Sequence, residues 1–70
     1  SIVCNKEAIM KFNESKEIRE YLASIGKEYR TVIRPSGTEP KIRILVESEF
    51  IENARQKAQE IKDFIKERIL

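Results

Sequence analysis

The 70-residue chain contains no histidine and no tryptophan, one cysteine, one aspartate, two glycines and two prolines. Histidine is the usual general base near neutral pH, and histidine or clustered aspartate the usual metal ligand, so a self-contained hydrolase or metalloenzyme is not expected. A single cysteine, Cys4, excludes an internal disulfide and a cysteine-based zinc site and fits a reducing cytoplasm. No run of about 18 apolar residues is present, so no transmembrane span is expected. No secretory signal is visible, and the sequence opens at Ser1 without a methionine, directly into an apolar run. It is therefore expected to be a piece of something longer. Charge of one sign is also lacking. Fourteen Lys+Arg face twelve Asp+Glu for a net charge of +2, a weak footprint for an electrostatic nucleic-acid binder.

What is present suits one small domain. Apolar residues make up 40% of the chain, and isoleucine is prominent among them. Eleven glutamates, mostly spaced with lysine or arginine at helical intervals, read as a solvated surface. Ser1–Cys4 is β-prone, and residues 5–13 fit neither the helical nor the strand period. From Glu14 the spacing of Ile18, Tyr21, Leu22 and Ile25 predicts a helix, with Asn13 or Ser15 as its cap. Gly26 stands where a left-handed C-terminal residue is wanted. Tyr29–Arg34 reads as a strand, and Lys41–Glu47 as a half-buried strand with Ile42, Ile44 and Val46 on one face. Ile51, Ala54, Ala58, Ile61, Ile65 and Ile69 predict a long amphipathic helix, with Ser48 as candidate cap. The expected fold is α+β, in the order β-α-β-β-α, with two helices on one face of a small, mainly antiparallel sheet. Cys4 and Tyr21 are expected in the core.

The chemistry concentrates in Arg34-Pro35-Ser36-Gly37-Thr38-Glu39-Pro40, between the two longer strands. Gly37 permits a positive φ and close backbone approach, and successive amides around such a glycine can cradle an anion. Ser36 and Thr38 add hydroxyl donors. Arg34 and Arg43 flank the loop with planar forks suited to phosphate, while Pro35 and Pro40 restrict it. No base or nucleophile accompanies them, so the set describes an anion clamp with no catalytic group. The same residues also make a tight hairpin whose arginines are solvated edge charges, with Arg43 paired to Glu39 or Glu47. Residue types alone leave the two even.

The run RPSGTEPKIRI, from Arg34 to Ile44, resembles the phosphate-binding loop in the C-terminal domain of α-D-phosphohexomutases, which act on glucosamine, mannose and glucose phosphates. The resemblance spans residues 14–70 well and 1–13 weakly. Gly26-x-x-x-Arg30 leading into the motif is most similar to the phosphoglucosamine mutase branch. Lys41, where a leucine is more usual, keeps the phosphomannomutase/phosphoglucomutase branch open. The resemblance implies that residues 1–70 form one C-terminal phosphate-binding domain of a longer multidomain mutase in the cytoplasm. Such an enzyme interconverts hexose 6-phosphate and hexose 1-phosphate through a phosphoserine and a bisphosphate intermediate. It implies Mg2+ held by another domain, a phosphosugar and the other domains as partners, and no activity in this segment alone. Arg34, Ser36, Gly37, Thr38 and Arg43 would hold the phosphate that is not being transferred, with no catalytic or metal residue here and Ser36 not the nucleophile. Two other readings remain at this point. One is a small α/β nucleic-acid-binding module, although Lys41–Glu47 lacks the aromatics such sheets display. The other is a dimerisation domain using the terminal helix.

Overall fold

The computed structural model describes residues 1–70, and in it every helix lies where a cap or an apolar stripe can hold it. Strand β1 is Ile2–Val3, followed by α1 (Lys6–Glu14), α2 (Lys16–Ala23), β2 (Tyr29–Pro35), β3 (Lys41–Ser48) and α3 (Ile51–Ile69). The fold is α+β, as expected, but the order is β-α-α-β-β-α, with three helices in place of two.

The added helix occupies the stretch whose period was unclear. Asn5 Oδ1 accepts a hydrogen bond from the Ala8 amide at 2.8 Å and starts α1. Ala8 and Phe12, one helical turn apart, are buried, whereas Met10 is 59% exposed, so apolar residues spread around the helix and blur its stripe. Ser15, with extended φ and ψ, interrupts the run. Its amide donates to Phe12 O, and its Oγ accepts from the Ile18 amide at 3.1 Å, so one residue closes α1 and caps α2.

Three antiparallel strands form a sheet in the order β1-β3-β2. Ile2 lies opposite Ile42, and β2 pairs with β3 from Tyr29↔Ser48 to Pro35↔Ile42. Inward positions of β3 (Ile42, Ile44, Val46) meet the helices, and Arg43, Leu45 and Glu47 point to the uncovered face. The core joins Ile2, Ala8, Phe12, Ile18 and Ile42 to Ile61, Ile65 and Ile69 of α3. Burying each such isoleucine stabilises the fold by roughly 1.5–3 kcal/mol. Tyr21 packs against this cluster as expected, its ring stacked on Phe64 at 3.9 Å between centroids.

Several local expectations are corrected. No glycine has positive φ, so Gly26 is not a left-handed cap; α2 ends at Ser24 in right-handed helical conformation. Ser48 does not cap α3, because the helix begins three residues later, at Ile51; Phe50 is the cap residue, and Ser48 Oγ accepts a hydrogen bond from its amide at 3.3 Å. Ile51, the first residue of the helix, is 71% exposed in place of joining the buried stripe. Cys4 is half-buried, not fully buried.

Candidate functional site: an uncompensated arginine pair beside the β2–β3 loop

The antiparallel register sets Arg34 directly opposite Arg43 on the uncovered face of the sheet. Like charges at facing positions destabilise a strand pair, so folding alone gives no reason for this juxtaposition. The carboxylates expected to neutralise Arg43 are engaged elsewhere. Glu47 pairs with Arg30 at 3.9 Å, and Glu39 pairs with Lys41 at 3.2 Å. Arg34 and Arg43 belong to none of the ion pairs in the chain.

The loop closes against this pair through its own backbone. Ser36 N donates to Lys41 O, and Lys41 N donates to Glu39 O, both at 2.8 Å. Cys4 N donates to Pro40 O at 2.9 Å, so the end of β1 pins the exit of the loop. An open concavity of about 480 Å³ results, lined by Arg34, Pro35, Ser36, Gly37, Thr38 and Arg43. All five residues nominated from the sequence thus face one space. It lacks any acidic side chain and offers two guanidinium forks and two hydroxyls.

One of the amides expected to cradle an anion is committed within the loop. The Ser36 amide is committed to Lys41 O, and the Thr38 amide faces Ser36 Oγ at 3.5 Å. Gly37 has no positive φ, and a Cβ added to it would meet nothing within 4 Å. The bare backbone at Gly37 therefore leaves room beside the arginines without being demanded by the turn.

Two neighbouring features carried no weight in the sequence. Lys41 shares a second open concavity, about 470 Å³, with Val32, Arg34, Arg43 and Leu45 on the sheet face. Strict alternation along β3, with Lys41 two residues before Arg43, was the available signal. Behind the loop, Cys4, Asn5 and Lys6 meet Ser36–Pro40 around a further space of about 480 Å³. That packing depends on α1, which the sequence did not announce. A depression of about 470 Å³ between β3 and α3 is walled mainly by Ile44, Val46, Ile51 and alanines and assembles no comparable donors. The clearly displaced titration lies on α3: a hydrogen bond to Glu60 raises the Lys57 ammonium above its ordinary pKa, opposed by desolvation.

The family profile described as "Phosphoglucomutase/phosphomannomutase, C-terminal domain" matches residues 1–67. The chain belongs to this family. Phosphoglucosamine mutase of Thermosipho africanus is 49% identical over 53 residues, covering 76% of this chain and 12% of that protein. The enzyme of the same name from Finegoldia magna is 40% identical over 68 residues, 91% of this chain and 15% of its own length. That from Tropheryma whipplei (strain Twist) is 46% identical over 57 residues, 79% of the chain and 13% of the relative. The chain therefore spans a small fraction of these relatives. No solved structure matches it. The phosphoglucomutase/phosphomannomutase C-terminal domain seen here contains no group of three or more acidic, cysteine or histidine side chains that could hold a metal ion. No helix is long and apolar enough to cross a membrane.

Proposed function

We propose that this domain clamps the non-transferred phosphate of a hexose phosphate in a phosphohexomutase that interconverts hexose 6-phosphate and hexose 1-phosphate. The observation that carries it is the facing pair Arg34 and Arg43, unpaired with any carboxylate and opening onto Ser36, Gly37 and Thr38. A phosphate dianion offset between two guanidinium groups relieves their repulsion and accepts charge-assisted hydrogen bonds from both. The hydroxyls of Ser36 and Thr38 supply further donors. Anchoring one end of the sugar phosphate in this way uses binding energy to hold the other end in line for phosphoryl transfer. The phosphoserine, the magnesium and the bisphosphate chemistry belong, on this reading, to other parts of a cytoplasmic enzyme. Glucosamine phosphates are the favoured substrates because the relatives quoted above carry that name.

An amide NMR titration of the 70-residue chain tests the clamp. Inorganic phosphate, glucosamine 6-phosphate and mannose 6-phosphate should each shift Ser36, Gly37 and Thr38, together with the Nε–H signals of Arg34 and Arg43. Shifts spread along Lys41–Glu47 with a short RNA, and none with the phosphates, would replace the clamp by a nucleic-acid interface.

A further inference from the structure

Glu39 is the carboxylate of the clamp loop itself, four residues from Arg43, and it lines the space behind the loop and not the clamp concavity. Lys41 is the side chain common to Glu39 and the arginine pair. Its Nζ lies 3.2 Å from Glu39 Oε2, and its stem shares a sheet-face concavity with Arg34 and Arg43. Lys41 is 26% exposed and Glu39 63%, so the ammonium is the better-held partner. We infer that Lys41 is a positioning residue that acts through Glu39: it holds that carboxylate away from the arginine pair and so keeps the clamp open to phosphate. The inference rests on the clamp reading and deepens it.

A carboxylate tethered in the same loop is an intramolecular competitor, present at an effective concentration that a millimolar phosphate must overcome. Should a released Glu39 occupy the arginines nine-tenths of the time, the apparent phosphate affinity would fall about tenfold. The loop shape does not depend on the lysine side chain. The closing bonds, Ser36 N to Lys41 O and Lys41 N to Glu39 O, are made by backbone atoms. Substitution at Lys41 therefore alters the charge arrangement and leaves the turn in place.

The test is titration of the 70-residue chain with inorganic phosphate, read at the Gly37 and Thr38 amides, in the wild type and four variants. Lys41→Met should weaken binding about tenfold, Lys41→Arg should stay within about twofold of wild type, and Glu39→Gln/Lys41→Met should return to within about twofold. Lys27→Met removes one positive charge from an exposed position outside the loop and should bind like the wild type. Three results overturn the inference: Lys41→Met binding as well as wild type, the double variant staying as weak as Lys41→Met, or Lys27→Met losing as much as Lys41→Met. The second would make Lys41 a direct phosphate ligand, and the third would reduce the effect to net charge. Absence of any saturable response in the wild type is a separate result that removes the clamp itself and this inference with it.

Discussion

Arg34 and Gly37 line the same concavity, yet they should respond differently to substitution. Arg34 offers charge-assisted hydrogen bonds worth about 1.5–3 kcal/mol each, so Arg34→Ala should lower phosphate affinity by roughly 10–100-fold. Lysine cannot restore it fully, because a point charge does not reproduce the two-pronged fork. Gly37→Ala is the subtler case. With no positive φ and open space where the Cβ would sit, the substitution strains nothing in the folded chain. It should leave stability unchanged or raise it by about 0.4–1 kcal/mol through the unfolded state. Because Gly37 lines the concavity of Arg34 and Arg43, the added methyl should weaken phosphate binding there. Thermal melts beside the NMR titration check both halves. A destabilised Gly37→Ala would show that the turn itself needs glycine, and unchanged binding would remove Gly37 from the site.

At the scale of elements, α2 meets the core through Ile18 and Leu22, with Ile25 just beyond its end, and carries a stack of side chains beside them. The rings of Tyr21 and Phe64 are stacked with an interplanar angle of 12°. The Arg68 guanidinium covers the other face of Phe64, 3.5 Å from its centroid, and its Nε reaches Glu17 Oε2 at 3.0 Å. Phe64→Ala removes the middle layer. A half-buried phenylalanine with an aromatic partner should lose about 2 kcal/mol, less than a fully buried one. For a chain of this size that lowers Tm by roughly 8–16 °C. A loss below about 0.5 kcal/mol would mean that Ile18, Leu22 and Ile25 dock α2 without the ring stack. The helices also show where the sequence was legible. Ile61, Ile65 and Ile69 lie on the predicted face of α3 because a regular stripe meets a sheet along most of its length. Helix α1 was hidden because it buries only Ala8 and Phe12, against other helices more than against a sheet, so it needs no continuous stripe. The candidate site was legible as residue types and strand ends. Its facing arginines were not, since that depends on register, which loop hydrogen bonds fix and spacing does not show.

The whole molecule is small and leaves one face of its sheet uncovered. Its accessible surface is 5187 Å², against about 4,500 Å² expected for a compact monomer of this mass, and 8 of 70 residues are buried. Total stability should then lie in the low part of the range of about 3.5–10 kcal/mol for such a length. Against so small a total, a ligand that binds only the folded clamp is a large perturbation. Glucosamine 6-phosphate at a hundred times its Kd contributes about 2.7 kcal/mol, which raises Tm by roughly 10–20 °C. Arg43→Gln separates this from the general stabilising effect of kosmotropic anions such as phosphate, which does not depend on a site. Removing one of two facing positive charges should leave the ligand-free protein as stable as the wild type or more so, since the pair opposes folding. At the same ligand concentration its gain in Tm should be about half that of the wild type or less, because a tenfold weaker site at ten times its Kd gives about 1.4 kcal/mol. Equal gains in the two proteins would mean that the sugar phosphate acts on the surface at large. A wild type that melts higher than Arg43→Gln without ligand would mean that the arginines are structural, already satisfied within the fold.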